Sequence, residues 1–296
     1  MGFWRNRSGA PPSPPPVAPE IAEALADLKT LAKHQPTLAD PAALLAEVLP
    51  QLYQDPIRTV FPSLTADQAR AKLTHGIPVL RGEAFGIDDQ AFRRRWNDVC
   101  TIVERHQGGE FGGTMRQRLN DGSLSPGELL GDVLSDRMNT LHARAESLGL
   151  DPGLTITVLR LLLIPVLRPV NDAWLPVRQG IRWQSGSCPT CGNWPMLAEI
   201  GSQPYRVLRC GLCTASWELS ATACPFCGLT DPAFLRFLHV PEKDPKYRAA
   251  MCDACRCYLK TVWTMLPLSG PRLLVADLAS MHLDLAAPAD GYSMPE

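Results

Sequence analysis

The sequence has little of what most readily identifies an enzyme or a membrane protein. Its six histidines (His34, His75, His106, His142, His239 and His282) are dispersed. No His-Glu-x-x-His pair and no Gly-x-Ser-x-Gly elbow occurs, so neither the zinc-protease helix nor the hydrolase nucleophile turn is present. Charge of one sign is also lacking. The 29 Lys and Arg balance 30 Asp and Glu, for a formal net charge of −1, which gives no global pull toward nucleic acid or anionic lipid. The longest apolar run, 158–170, is interrupted by Arg160, Pro165, Arg168 and Pro169. It falls short of the roughly 20 residues a bilayer crossing needs and reads as a buried helix, so no membrane insertion is expected. The N-terminus has no apolar stretch of signal-peptide length and no paired arginines, which predicts a cytoplasmic chain, and the balanced charge predicts no nucleic-acid partner.

What is present is an ordinary globular composition, 45% apolar and 20% charged over 296 residues, enough for about two domains with a sizeable core. Six of the first 20 residues are proline, so 1–19 reads as an extended tail. Residues 20–182 read as an α-helical domain. Asp40-Pro41, Ser125-Pro126 with Glu128, and Asp151-Pro152 are helix-start signals ahead of apolar residues at helical spacing. Earlier and later helices are expected at Glu20–His34 and Asp88–His106. In the latter, Phe92, Trp96, Val99, Cys100 and Val103 share one face, so Cys100 reads as a small core hydrophobe. Gln107–Asn120, with Gly108, Gly109, Gly112 and Gly113, reads as a flexible connection, because it lacks the Lys-Ser/Thr of a phosphate loop.

The cysteines are distributed very unevenly. Of ten, Cys100 stands alone and nine lie between Cys188 and Cys257. Eight of those form four Cys-x-x-Cys pairs: Cys188/Cys191, Cys210/Cys213, Cys224/Cys227 and Cys252/Cys255. Each such turn places two sulfurs on one side of a tight loop, and two turns complete a tetrahedral ion. Two tetrathiolate sites follow, filled by zinc or iron, since four thiolates suit both. Disulfides would be unstable in a reducing compartment. Cys188-Pro189-Thr190-Cys191-Gly192 and Cys224-Pro225-Phe226-Cys227-Gly228 have the form of metal knuckles, with proline fixing the entry and glycine permitting positive φ at the exit. Cys257, one residue beyond a complete ligand pair, reads as a bystander.

The segments between the pairs repeat one design. The runs 195–200, 205–209 and 216–219 read as three strands around the turn at Gly201-Ser202-Gln203-Pro204, and 234–239, 247–251 and 258–264 read as three more. This predicts two tetracysteine β modules, at 183–222 and 223–267, followed by a C-terminal helix and tail at 268–296. Sequential pairing of the knuckles is the expected arrangement, and spacing leaves cross-braced pairing open. So small a module lacks an adequate apolar core, so metal binding would supply much of its folding free energy. Asp277, Asp284 and His282 share one face of an expected helix at 275–285, read as a solvated or partner-binding face. The fold class expected is therefore α+β: a helical N-terminal domain followed by two rubredoxin-like or zinc-ribbon-like modules.

At Arg182-Trp183, Cys188 through Pro195, Arg206 through Cys210, Trp217, Cys224 through Gly228, Cys252 through Cys255, Tyr258-Leu259-Lys260 and Asp277-Leu278-Ala279-Ser280, the chain resembles the formate dehydrogenase accessory protein FdhE family. It departs from the family pattern at Cys257 and Ala250. The resemblance implies a non-enzymatic cytoplasmic assembly factor. Such a factor binds the catalytic subunit of a respiratory formate dehydrogenase during maturation and carries rubredoxin-like sites for iron or zinc. Trp194 and Trp217 read either as exposed anchors for that partner or as ribbon core. The competing functions are a zinc-ribbon nucleic-acid binder and an iron-tetrathiolate redox protein. The first is disfavoured by seven Lys/Arg against six Asp/Glu between Cys188 and Cys257, the second by the absence of any substrate or cofactor motif.

Overall fold

Eight helices precede the first cysteine knuckle in the computed structural model, which describes residues 18–60, 64–84, 86–107, 109–134 and 138–295. The expected proline-rich tail lies almost wholly outside the described residues. In chain order the elements of this half are α1 (Pro19–His34), α2 (Ala39–Tyr53), β1 (Thr59–Val60), α3 (Ala66–Thr74), β2 (Gly86–Ile87), α4 (Asp89–Gln107), α5 (Phe111–Asn120), α6 (Pro126–Leu134), α7 (Met138–Ser147) and α8 (Pro152–Arg178). Of the expected start signals, Asp151-Pro152 caps its helix, whereas α2 begins at Ala39 without a side-chain cap and carries Asp40 inside its first turn. Asp151 accepts a hydrogen bond from the Leu154 N–H at 2.7 Å, and Thr65 with Gln68 forms a reciprocal capping box.

The helix α8 organises this half. By length and composition it could cross a membrane, yet Val158, Leu159, Leu162, Leu163, Val166, Leu167 and Val170 are all buried in the core it shares with α2, α4 and α6. Its internal prolines are used rather than merely tolerated. Pro169 has no N–H to give the carbonyl of Pro165, and that carbonyl instead accepts the Ile57 N–H at 2.9 Å. Thr59 Oγ1 donates to the next carbonyl, Val166, at 3.1 Å, so the short β1 strand is tied to the helix where its own ladder is interrupted.

The expectation of a flexible connection over Gln107–Asn120 is corrected: α5 occupies Phe111–Asn120. Its glycine permits contact rather than motion. A Cβ on Gly112 would lie 2.4 Å from the Cys100 carbonyl of α4, so only glycine lets the two helices approach this closely. The Trp96 indole N–H donates to the Met115 carbonyl at 3.2 Å, and Arg116 pairs with Glu104 at 2.9 Å across the same contact.

The second half is built on one sheet. The strands β3 (Leu197–Ile200), β4 (Tyr205–Arg209), β5 (Ser216–Ser220), β6 (Leu235–Leu238), β7 (Tyr247–Cys252) and β8 (Tyr258–Trp263) are ordered β5-β4-β3-β8-β7-β6. Within each group of three the pairing is antiparallel, and the groups join by a parallel pairing of β3 with β8, Ala198 opposite Thr261. The expected segment at 275–285 is two helices, α9 (Gly270–Ala279) and α10 (Met281–Ala289), separated at Ser280. Leu273, Ala276 and Leu283 from these helices pack with Tyr247, Met251, Tyr258 and Val262 of the sheet and with Leu31 of α1. The α+β class is as expected, a helical N-terminal part followed by a sheet region carrying two tetracysteine clusters.

Candidate metal centre

All four Cys-x-x-Cys turns adopt one backbone solution. The N–H of the first cysteine donates to the carbonyl five residues on: Cys188 to Asn193 at 2.8 Å, Cys210 to Ala215 at 2.9 Å, Cys224 to Leu229 at 2.7 Å and Cys252 to Cys257 at 2.9 Å. The residue after the second cysteine is left-handed in every case, with φ of 84° at Gly192, 60° at Thr214, 74° at Gly228 and 59° at Arg256. Glycine meets this requirement freely, whereas Thr214 and Arg256 adopt it at a cost of about 1–2 kcal/mol each. The sequence reading anticipated the two glycines and missed the two non-glycine positions.

The turns bring the sulfurs together in sequential pairs of knuckles. Cys188, Cys191, Cys210 and Cys213 form one group and Cys224, Cys227, Cys252 and Cys255 a second, with all sulfurs of each group within 4.8 Å of one another. In the first, Cys188 and Cys213 sulfurs are 3.4 Å apart and Cys191 and Cys210 sulfurs 3.5 Å; in the second, the Cys224–Cys255 and Cys227–Cys252 separations are 3.7 and 3.8 Å. A tetrahedron with metal–sulfur bonds of about 2.3 Å has edges of about 3.8 Å, whereas a disulfide would need about 2.05 Å. The donor set therefore fits an ion, and each group can hold one. Backbone N–H groups of Leu212 and Cys213 approach the Cys210 sulfur at 3.4 and 3.5 Å, the donors that offset thiolate charge.

The two groups differ in surroundings. Every cysteine of the first is buried, whereas Cys227 of the second is exposed and Cys255 half-buried. Without an ion the thiols share protons. Hydrogen bonds from Cys188, Cys191 and Cys213 hold Cys210 well below the ordinary thiol range, while burial, followed by hydrogen bonds within the group, pushes Cys213 well above it. In the second group burial pushes Cys224 up to about 11. At Cys252 burial acts upward too, but the N–H groups of Cys255 and Ala254 outweigh it and lower the pKa. Cys257 stands outside both groups, its sulfur 3.5 Å from the Cys255 carbonyl. Cys100 lies in the helical core, its thiol pushed up to about 12 by burial.

The first knuckle is docked onto the helical half. The N–H groups of Val79 and Leu80 donate to the carbonyls of Pro189 and Thr190, both at 2.9 Å. Buried Thr190 donates to Asn171 Oδ1 at 3.0 Å and accepts from Arg178 at 3.0 Å, while Arg178 also donates to Asn171 and to the Ser216 carbonyl. The segment before Cys188 reaches the third knuckle: a Cβ on Gly186 would lie 1.7 Å from the Pro225 carbonyl. Trp194 and Phe226 meet edge to face with centroids 5.5 Å apart. Trp217 is buried, with its indole N–H on the Ser185 carbonyl at 3.2 Å, so it belongs to the core and is no exposed anchor. Half-buried Trp194 lines an open groove of about 840 Å³ with Trp183, Phe226, Arg178 and Arg182.

Asp277 and Asp284 do not form a free acidic face. They converge on buried Lys260 of β8, at 2.5 and 2.7 Å, and Tyr258 donates to the second oxygen of Asp284 at 3.0 Å. Their spacing was visible in the sequence, but the lysine lies in another element and nothing in the sequence paired it with them. His282, on the same helix, makes no hydrogen bond through either ring nitrogen among the described residues.

No protein-family model matches the chain, and no curated protein matches it in sequence. Among solved structures, the crystal structure of the FdhE protein from Pseudomonas aeruginosa superposes with a TM-score of 0.60 over 93% of this chain and 92% of that one, at 22% sequence identity. The two chains share a fold.

Proposed function

We propose that this chain is a member of the FdhE family and acts as a metal-binding accessory factor in the maturation of a formate dehydrogenase. The observation that carries the reading is the pair of tetracysteine groups on one continuous sheet, in a fold shared over nearly the whole chain with an FdhE protein. In this reading Cys188, Cys191, Cys210 and Cys213 hold one ion and Cys224, Cys227, Cys252 and Cys255 the other. The ions are iron or zinc and fix the knuckles. The chain works in the cytoplasm, performs no turnover of its own, and binds the catalytic subunit through the metal-bearing half. The groove beside Trp194 is the part of that half with an accessible aromatic side chain next to both first and third knuckles, the kind of anchor that dominates interface energetics.

Elemental analysis of the purified protein is expected to find about two ions per chain. Visible absorbance distinguishes ferric iron, which is coloured in a tetrathiolate, from colourless zinc. The double variant Cys188→Ser/Cys191→Ser is expected to lose capture of the catalytic subunit and to leave cells with inactive formate dehydrogenase. Purified mature enzyme should need no added accessory protein. Unchanged formate dehydrogenase activity after deletion of the gene would refute the assembly role.

A further inference from the structure

Strand β4 buries two arginines, and they are compensated differently. Arg209 pairs with Glu199, itself buried, whose carboxylate also accepts the Leu268 N–H at 2.9 Å. Arg206 is 4% exposed and has no carboxylate partner among the described residues. One terminal nitrogen donates to the Ala223 carbonyl, and its Nε, like that of Arg209, has no hydrogen-bond partner among the described residues. A buried guanidinium is costly unless a negative charge stands near.

The second cysteine group adjoins this arginine. Ala223 immediately precedes Cys224, and Arg206 lines the same small cavity, about 30 Å³, as Cys224, Cys252 and Cys257. Burial lowers the pKa of Arg206, and the neighbouring Cys224 acts in the opposite direction without outweighing it. A tetrathiolate loaded with a divalent ion carries two net negative charges, and one loaded with a trivalent ion carries one. Either meets the unpaired cation.

We infer that Arg206 is a positioning residue for the second metal centre: its guanidinium, delivered from the first strand group, is the counter-charge of the Cys224–Cys255 tetrathiolate. This rests on the reading that the second group holds an ion. It also assigns a physical link between the two modules, since the ion in one holds a central strand of the other. With metal bound, the assembled tetrathiolate stands beside Arg206; with metal removed, the knuckles that hold that charge in place are no longer fixed.

The test is metal competition with a chromogenic chelator on full-length chains, supported by native mass spectrometry. Cys227→Ser identifies the ion belonging to the second group. Arg206→Met, of similar bulk without charge, is expected to weaken that ion about 10- to 100-fold, the usual range for lost outer partners of a metal site. In the Cys227→Ser background the same substitution should leave the remaining ion unaffected. Arg206→Lys should restore affinity to within about threefold of wild type, the margin expected if charge rather than fork geometry matters. Arg206→Met with wild-type affinity overturns the inference, as does Arg206→Lys behaving no better than Arg206→Met. A wild-type chain lacking the second ion is a different result and refutes the metal reading itself.

If Arg206→Met does not fold, phenylglyoxal labelling of the wild-type chain decides the same point. Arg206 should resist modification in the loaded protein and become reactive before Arg209 as the second ion is withdrawn. Simultaneous exposure of both arginines, or equal Arg206 reactivity with and without the ion, overturns the assignment.

Discussion

Gly186 has no side chain because the Pro225 carbonyl occupies its place, 1.7 Å from where a Cβ would stand. Gly186→Ala must therefore move the third knuckle or the segment leading to the first. Overpacking of this kind costs about 1–3 kcal/mol, and the expected outcome is a lower denaturation midpoint together with weakened metal retention in the second group. Cys257→Ser is expected to leave the metal content at two ions, since its sulfur lies outside the tetrahedron. Cys255→Ser should lose one, and native mass spectrometry separates the two results. The eight clustered cysteines were legible in the sequence because a knuckle is a local object whose ligands lie three residues apart. Arg206, Arg178 and Lys260 were not. Their partners lie 17 or more residues away in many contacts, and nothing in the local pattern marks a buried cation.

Among the elements, β8, α9 and α10 are fastened at one point by Lys260. Burial alone would lower its amine pKa, but Asp277 and then Asp284 outweigh that and raise it. Removing one partner of a fully buried ion pair costs about 3–5 kcal/mol. Both carboxylate side chains here are about one-third exposed, so Lys260→Met is expected to cost less, about 2–3 kcal/mol after solvent screening, measured by chemical denaturation. Because the folded pKa lies above the unfolded one, this contribution is fully present below about pH 10.4 and is lost as the pH rises through the raised value. The stability gap between wild type and Lys260→Met should be constant at neutral pH and shrink only in strong alkali. Helices and strands were largely readable from period and start signals. The segment 107–120 was misread because its glycines, taken for flexibility, serve close packing of α5 on α4.

Across the whole molecule, the first cysteine group and the helical half draw on one continuous apolar core, in which Cys188, Cys191, Cys210 and Cys213 stand with Val133, Leu162 and Val166. Withdrawal of the first ion is expected to reach beyond the sheet. The amides of Val79 and Leu80, bonded to the first knuckle, should lose protection in hydrogen exchange along with Cys188, while amides within α4 stay protected. Equal protection with and without metal would show that the knuckle holds its shape unaided. The tandem duplication was visible in the sequence, but the joining of the two strand groups was not, because pairing between β3 and β8 spans some 60 residues with no local signature.

That joining has a geometric consequence. The first strand of one repeat meets the last strand of the other in parallel, so the repeats are related by displacement along the sheet and not by rotation into a closed pair. The outer strands, β5 and β6, are consequently unlike, one a last strand and the other a first, and each has the character of the half-interface already used at the centre. Head-to-tail contacts of this kind generate open-ended stacks instead of closed dimers. The four-residue length of β6 and the charged Arg236 within it are features that discourage such growth at a sheet edge. The architecture is thus a two-unit segment of a one-dimensional lattice, with growth discouraged at its β6 edge.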